Sequence, residues 1–347
     1  MAHEIDLKKY QIRTDIIVET YDKNNKNKGI DHKEKQFGDV LLEETTITKE
    51  GENICNKKCG LYKTITFDDI TDKDNFKNVE KVLIETLKNF LKEKEISETS
   101  TCLIIGLGNE KSTPDALGPE VINKILVTKY LFNIGEVQKG YRNVASFKPS
   151  VTGVTGIETK ELVKGVVDVV KPDFLIVIDA LAASSISRVN KTIQITDTGI
   201  SPGSGIGNNR EEISISSLGI PVIAIGVPTV VDAATIVTDT FKYMLKQFSF
   251  KIKNQDNKKL KFVPESHQNY LEHEGKLTSE EKEKVLGMIG TLTETEFKSL
   301  INEVLNPINY NLMVTVKEVD FIIEKLALLL SNGINKSLHE AYNTTNI

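Results

Sequence analysis

The hydrophobic positions change their spacing along the chain. Between residues 74 and 94, apolar side chains recur at helical spacing, which predicts an amphipathic helix. From about residue 100 to 248, short unbroken apolar runs alternate with stretches of helical spacing. We predict strands at 102–105, 174–178, 192–195 and 222–225, and helices at 119–131, 158–170 and 229–248. Unbroken apolar strands separated by helices predict an α/β fold, with a mostly parallel central sheet covered by helices on both faces.

The regions on either side of this block are more polar. Short alternating pieces in the first 70 residues, such as 16–20, have the pattern of strands. Residues 249–277 are rich in lysine, and we predict a surface insertion there. The C-terminal region, 278–340, is predicted to be helical because Thr278, Thr293 and Thr315 each stand three residues before a glutamate, as in a capping box. The last helix would turn five apolar side chains inward: Val319, Ile322, Ile323, Leu326 and Leu330.

Composition and charge narrow the class of protein. The 347 residues are 39% hydrophobic and 27% charged, as in an ordinary globular protein. Because 44 Lys and Arg residues stand against 49 Asp and Glu residues, the net charge of −5 argues against direct nucleic-acid binding. No apolar run approaches the roughly 18 residues of a membrane helix, and the polar N-terminus lacks the apolar core of a signal peptide. We therefore expect a cytoplasmic protein without a membrane partner.

Cysteine and histidine give little support to a metal or nucleophile site. Cys55 and Cys59 lie in a polar loop with no second Cys or His cluster nearby, so we interpret them as incidental thiols. Cys102 begins an apolar run and is expected to be a buried small hydrophobe. The histidines all lie outside the central block, where a solvated surface position is expected. A Ser-His-Asp or Cys-His set would need one of them folded back into the site.

The first candidate for chemistry is Asp115. The strand at 102–105 is followed by Gly106-Leu-Gly-Asn109, but a dinucleotide fingerprint needs a third glycine where Lys111 stands. A nucleotide-binding module is therefore a weak alternative. Asp115 itself lies in a proline-bounded turn at the start of a predicted helix. It could cap that helix or take part in catalysis.

The second candidate is Asp179, which directly follows the predicted strand at 174–178. The carboxyl ends of strands are where α/β folds build their sites, although an aspartate there can also cap a turn. Two carboxylates held close together could divide the tasks of acid and base, one activating water and the other protonating a leaving group. The sequence predicts the positions of Asp115 and Asp179 but does not show that they meet.

A third feature is a glycine-rich loop. Gly203, Gly205 and Gly207 stand at alternate positions and could bring the chain close to a ligand or substrate. A simple connector explains the same residues equally well.

Several long motifs, taken together, resemble the germination protease family of spore-forming bacteria. They are Gly106-Leu-Gly-Asn109, Thr113-Pro-Asp-Ala-Leu-Gly-Pro119, Ile178-Asp-Ala-Leu-Ala-Ala183, Ile195-Thr-Asp-Thr-Gly-Ile200, Ser201-Pro-Gly-Ser-Gly205 and Tyr310-Asn-Leu-Met-Val-Thr315. The resemblance extends from about Lys9 to the C-terminus.

The resemblance implies an endopeptidase that degrades small acid-soluble, DNA-protecting spore proteins in the spore core. It implies an atypical aspartic peptidase without a cofactor or metal, with Asp115 and Asp179 as the catalytic pair. It also implies a homotetramer and a three-layer α/β/α sandwich similar to hydrogenase maturation endopeptidases. Those enzymes suggest the alternative of a metal-assisted endopeptidase with the same aspartates as ligands. The lack of histidine in the central block speaks against it.

The resemblance further implies a zymogen that removes its own N-terminus. The matching segment places the cut between Asp15 and Ile16, where an acidic residue precedes a hydrophobic one. Ile17 is larger than the residue that the family pattern favours there. We therefore expect a propeptide at 1–15 and a single peptidase domain at 16–347.

Overall fold

Residues 14–23, 28–203, 211–254, 275, 277–305 and 312–343 are described by the structure, a computed structural model. The chain divides into two compact units. The larger comprises Arg13–Val230 with Thr315–Ile347, and the smaller comprises Met1–Ile12 with Val231–Val314. Each unit has dense internal contacts, but this does not show that either one folds independently. The single domain at 16–347 therefore stays a prediction.

A mixed sheet forms the frame of the larger unit. Its strands are β1 (Ile30–Phe37), β2 (Val40–Ile47), β3 (Gly60–Thr66), β4 (Cys102–Gly106), β5 (Val144–Phe147), β6 (Phe174–Ala183), β7 (Thr192–Thr196) and β8 (Val222–Asp232). Their order in the sheet is β1-β2-β3-β7-β8-β6-β4-β5. β4 pairs in parallel with β5 and β6, whereas β1, β2, β3, β7 and β8 are linked by antiparallel pairs. The predicted α/β fold is confirmed, and the first 70 residues supply β1, β2 and β3 of its antiparallel part, which β7 and β8 complete.

Helices pack on the sheet within the larger unit, and helices also predominate among the described residues of the smaller unit. They are α1 (Lys49–Cys55), α2 (Lys73–Glu93), α3 (Leu117–Ile122), α4 (Lys129–Ile134), α5 (Thr152–Thr155), α6 (Thr159–Val170), α7 (Ile215–Leu218), α8 (Ala233–Lys253), α9 (Ser279–Leu286), α10 (Glu294–Leu305) and α11 (Val319–Leu338). The described chain contains no helix long and apolar enough to cross a membrane.

Both faces of the sheet are covered, because alternate side chains of the central strands enter different cores. Ile104 and Ile176 pack in a cluster with buried side chains of α2, α3 and α11. Leu103 and Val177 pack on the opposite face with Val163 of α6. Helices, sheet and helices therefore form three layers, as expected for strands that are apolar throughout.

The predicted amphipathic helices α2 and α11 are confirmed. Asp72 caps α2 by accepting hydrogen bonds from the Asp74 and Asn75 amides, at 3.0 and 2.8 Å. The buried stripe of α2 includes Leu83 and Leu87. In α11, the predicted inward residues Ile323, Leu326 and Leu330 are buried, while Val319 and Ile322 are partly buried against the same core.

Tertiary hydrogen bonds interrupt the helix predicted at 119–131. Two shorter helices, α3 and α4, stand in its place. Thr128 donates its amide to Val144 O at 3.0 Å and accepts the Val144 amide on its hydroxyl at 2.9 Å. The Leu126 amide is bound by the Asn335 side chain at 3.0 Å. These bonds take the connecting residues out of the helical path.

Three other boundaries differ from prediction. Residues 16–20 contain a 3₁₀ turn at Ile17–Glu19 rather than a strand. The helix expected at 229–248 begins only at Ala233, where the Asp232 side chain accepts the Ala234 amide at 2.7 Å. The Thr315 capping box is wrong, because the Thr315 hydroxyl donates to Thr229 O at 2.8 Å and α11 has no side-chain cap.

The described residues of the smaller unit are helical apart from the end of β8 and one short strand. β9 (Met313–Val314) pairs antiparallel with Val231 and Asp232, the last residues of β8. The rings of Phe241 in α8 and Phe297 in α10 stack with centroids 4.0 Å apart. The capping boxes at Thr278 and Thr293 are both confirmed. The predicted insertion at 249–277 falls largely outside the described residues, apart from the end of α8 and Gly275.

His339 contradicts the expectation of solvated histidines, since it is fully buried. Its Nδ1 accepts the Arg142 amide at 3.1 Å, so the neutral ring carries its proton on Nε2. Burial lowers the pKa of His339 to about 4; a hydrogen bond with the Leu126 backbone opposes this effect and the Arg142 charge adds to it.

We expect this histidine to make the fold sensitive to acid. The unfolded state binds a proton near pH 6.5 and the folded state only near 4, so the stabilisation is complete above 6.5 and is lost as the pH falls towards 4. Between pH 7 and pH 4.5, the free energy of unfolding measured in urea should fall by on the order of 2 kcal/mol more in wild type than in His339→Asn. Equal losses in the two proteins would contradict the prediction.

Candidate active site

Asp115 lies in the loop that leaves β4. It ends a 3₁₀ turn at Thr113–Asp115 and is half-buried. Its Oδ2 accepts the Asn109 amide at 2.9 Å, and its carbonyl accepts the same amide at 3.1 Å. The Asp115 side chain therefore stabilises its own loop by binding the Asn109 amide. The alternative role as cap of α3 is wrong, because α3 begins after Ala116 without any side-chain cap.

Two glycines allow this loop to approach the sheet closely. A Cβ at Gly118 would lie 2.2 Å from Leu107 O and 2.8 Å from Ile178 O. Gly108 has a φ of +116°, and a Cβ there would lie 1.9 Å from Asp115 O. No side chain fits at either position. Gly108, which is part of the segment that resembles a nucleotide fingerprint, thus has a structural role: together with Gly118 it brings the Asp115 turn against the strand ends.

Asp179 lies inside β6, not after it, and is 6% exposed. The predicted strand end is wrong because β6 continues to Ala183. The parallel partner β4 does stop here, since Gly106 is opposite Ile178. Asp179 is therefore the first residue of β6 beyond β4. Its Oδ1 accepts the Ala180 amide at 2.9 Å.

Main-chain contacts bring the two aspartate-bearing segments together. The Leu107 amide donates to Ile178 O at 2.8 Å, directly before Asp179. The 3₁₀ turn that ends in Asp115 packs against β6. The Thr229 hydroxyl of β8 donates to Pro114 O at 2.7 Å and fixes the turn from another strand. Asp115 and Asp179 therefore lie on neighbouring segments at the end of β4; their catalytic roles stay a prediction.

The N-terminal segment docks on the same strand. The Asp15 amide donates to Ala182 O at 3.1 Å, and Asp15 Oδ2 accepts the Ala182 amide at 3.0 Å. Gln194 of β7 donates to Asp15 O at 3.0 Å and accepts the Ile17 amide at 2.7 Å. The predicted cleavage bond, between Asp15 and Ile16, is thus held from both sides by one glutamine.

A small core covers this docking site. Ile16 and Ile17 are fully buried, and they cluster with Leu181 of β6. Side chains alternate along a strand, so Leu181 lies on the same face as Asp179. The N-terminal segment therefore covers the face of β6 next to the candidate aspartate.

A lysine braces the start of this segment. Lys57 Nζ donates to Thr14 O at 2.8 Å, and burial lowers the pKa of Lys57, opposed by the charges of Asp15, Cys55 and Glu19. The carboxylate of Glu19 accepts the Ser184 amide at 2.8 Å, just past the end of β6. Lys57 and Glu19 thus hold the segment on either side of the predicted bond.

The cysteines and the glycine loop add less. Cys55 is buried and donates to Gly51 O at 3.1 Å, whereas Cys59 is exposed, and both thiols are free. Cys102 is buried as expected, and burial raises the pKa of its thiol. Gly203 has a φ of 72°, and Gly205 and Gly207 lie outside the described residues.

Sequence reasoning missed Gln194. The signal was present, because a glutamine between two isoleucines stands in a strand of five buried residues. A buried amide needs hydrogen-bond partners. Those partners lie 179 residues away at Asp15 and 177 away at Ile17, and no spacing rule points to them.

Comparison with known proteins decides the family, because the family model for germination proteases matches residues 7–347. The chain belongs to the germination protease family. A germination protease from Bacillus pumilus is 46% identical over 99% of this chain and 98% of the relative. Those from Bacillus subtilis and Priestia megaterium are 44% identical, over 99% and 100% of this chain and 97% and 98% of the relatives. Membership makes the chain a peptidase that acts on protein substrates.

A solved structure with some likeness is the nickel–iron hydrogenase maturation protease of Thermococcus kodakarensis. It is 18% identical, covers 42% of this chain and 80% of its own, and has a TM-score of 0.28. A likeness this low carries no argument, so the fold and the site rest on the contacts described above.

We expect the site to depend on Gly118. In Gly118→Ala, the new Cβ would meet main-chain atoms of Leu107 and Ile178, which no rotamer change relieves. The free energy of unfolding should fall by about 3 kcal/mol, and peptidase activity should fall with it. The matched control is Gly165→Ala in α6, where nothing lies within 4 Å. The free energy of unfolding of that variant should rise by about 0.5–1 kcal/mol. Equal stability of the two variants, measured by urea unfolding, would contradict this packing.

Proposed function

We propose that this germination protease cleaves small acid-soluble, DNA-protecting spore proteins in the spore core and so starts their degradation. The observation that carries the proposal is the contact between the Asp115 turn and the β6 segment that begins at Asp179, in a chain of this family. The candidate site lies beside a strand whose main chain already binds a peptide segment at Ala182. Main-chain pairing is a common way to hold an extended peptide.

In the proposed mechanism, one aspartate takes a proton from a water molecule as the water oxygen attacks the scissile carbonyl carbon. The other aspartate protonates the leaving amine as the C–N bond breaks. The pair then holds one proton between two carboxylates, an arrangement that close carboxylates favour. The protons balance: the one taken from water stays on the pair and replaces the one given to the amine, and the second hydrogen of the water remains on the hydroxyl of the new carboxylic acid.

We further propose that residues 1–15 form a propeptide, and that the docked segment keeps the enzyme idle. Ala182 is three residues beyond Asp179, about 10 Å along the strand. The Asp15–Ile16 bond is therefore held away from the aspartates while its segment covers the adjoining face of β6. Cutting after Asp15 would release the part that binds Ala182. The assembly we expect is a homotetramer, which light scattering on the purified chain tests.

The alternative is a metal-assisted endopeptidase that uses the same two aspartates as ligands. Catalytic zinc sites use three protein ligands. Within the described ranges, no third His, Cys, Asp or Glu groups with Asp115 and Asp179 at ligand spacing. The donor set therefore favours the aspartate pair.

We expect Asp115→Asn and Asp179→Asn each to lower the cleavage rate by about 10²–10⁴-fold, because each removes a proton carrier. The 16–347 form would be assayed against a purified small acid-soluble spore protein, with and without a chelator. Asp168→Asn, exposed on α6, is the matched control and should keep full activity. Circular dichroism would show that every variant is folded. Activity lost on chelation and restored by a divalent metal would instead support the alternative.

We expect the full chain to have a lower peptidase activity than the 16–347 form. The Gln194→Ala substitution should reduce this difference in activity. The substitution leaves Asp15 O and the Ile17 amide without their buried partner, so the segment should open more often. Hydrogen exchange at Ile17 in the full chain reports the opening, and Gln138→Ala at an exposed glutamine is the control. Unchanged exchange in Gln194→Ala would show that docking does not depend on this residue.

A further inference from the structure

We propose that the β1–β2 hairpin contains a binding site for a divalent transition-metal cation of the zinc type, with His32, Glu34 and Glu43 as ligands. In the described part of the chain, these are the one group of three potential ligands whose donor atoms all lie within 4.8 Å of one another. The group is separate from the candidate active site. The inference does not depend on the proposed function.

The strand register places a charge problem on one face of the hairpin. Glu34 is directly opposite Glu43 in the antiparallel pair, and His32 is opposite Thr45 on the same face. Like charges directly opposite each other destabilise a strand pair. Glu43 is fully buried, where a carboxylate requires a cation nearby.

The donor geometry fits a small tetrahedral ion. His32 Nε2 lies 3.0 Å from Glu34 Oε1 and 3.9 Å from Glu43 Oε1. Ligands of a tetrahedral ion with bonds of about 2.1 Å lie about 3.4 Å apart, between these two distances. One imidazole with two carboxylates also suits zinc-type ions better than calcium or magnesium, which prefer oxygen alone.

The imidazole is already oriented as a ligand. His32 Nδ1 is hydrogen-bonded to the Tyr21 hydroxyl at 2.9 Å and to the Thr45 hydroxyl at 3.2 Å. The two hydroxyls are themselves 2.8 Å apart. Nε2 is thereby directed at the glutamates. Metal-binding histidines are held through their other nitrogen in this way.

The site also contains the ammonium group of Lys23 and a second carboxylate oxygen of Glu43. The Lys23 ammonium contacts Glu43 and lies 3.1 Å from Glu34 Oε1, so a positive charge already sits between the carboxylates. Glu43 Oε2 is buried and, among the described residues, has no hydrogen-bond partner. The lysine thus binds one oxygen of this buried carboxylate and leaves the other unsatisfied. A metal ion would displace the ammonium, and Lys23 would turn towards solvent.

Binding would also brace the N-terminal segment. Tyr21, which orients His32, packs against the cluster that contains Ile16 and Ile17. A cation at the hairpin therefore stabilises Tyr21, which packs against the segment that docks on β6.

The test is a titration of the full chain with Co²⁺ and Zn²⁺. We expect one ion per chain, the visible absorption of tetrahedral Co²⁺ without a thiolate band, and a melting temperature that rises with metal concentration. Lys23→Met should tighten binding, since the competing ammonium is gone. Glu34→Gln should abolish it, and Tyr21→Phe should weaken it by on the order of tenfold. Glu44→Gln, the next residue along β2 from Glu43, is the control and should bind as wild type does.

The Glu34 variant keeps the proposal falsifiable, because Glu34 is 47% exposed and its loss should not unfold the hairpin. Binding that survives Glu34→Gln but disappears in Cys59→Ser would place the ion on a thiol and overturn the proposal. Absence of stoichiometric binding in both wild type and Lys23→Met would overturn it as well. None of these measurements uses peptidase activity.

Discussion

The candidate site depends on one main-chain contact, the hydrogen bond from the Leu107 amide to Ile178 O at the end of β4. It continues the parallel pairing of β4 and β6 by one residue and then releases the chain into the Asp115 loop. Gly118 allows α3 to approach the same carbonyl, because any side chain there would meet main-chain atoms. The position of Asp115 relative to Asp179 is therefore set by backbone that has no room to adjust.

The same strand explains how the chain holds its own N-terminus. Alternate main-chain groups of a strand point to the same side, so Ala182 faces the side on which Ile178 meets Leu107. β4 has ended by then, and Asp15 takes the open place beside Ala182. A strand that is longer than its neighbour thus offers both a peptide-binding edge and, at the start of that edge, the candidate aspartate. In the proposed zymogen, the N-terminal segment and a substrate compete for the same stretch of backbone.

Buried polar groups concentrate around this segment and its supports. The main chain is bound at Ile17 by Gln194 and at Thr14 by Lys57. The carboxylate of Glu19 binds the Ser184 amide, just past the end of β6. His32 and Thr45 hold Tyr21, five residues beyond Ile16, through hydrogen bonds to its hydroxyl. Each buried group is costly without a partner. The N-terminal region is therefore fixed by specific polar pairs as well as by apolar packing.

The sequence by itself determined several local elements and indicated Asp115 and Asp179 as candidate residues. The period of α2 and α11, the unbroken apolar strands and the capping boxes at Thr278 and Thr293 depend on neighbours in the chain, and each of these was predicted correctly. The motifs around Asp115 and Asp179 were sufficient to indicate the family.

Only the tertiary structure decided the rest. The break after α3, the docking of Asp15 beside the end of β6 and the contact of Gln194 with Asp15 depend on hydrogen bonds between residues far apart in sequence. Asp115 does not cap α3 because its side chain binds the Asn109 amide within its own loop. The strand register of the β1–β2 hairpin brings His32 close to Glu43. Periodicity records which face of an element is buried, but not which distant main-chain group it will meet, because that depends on strand order and register.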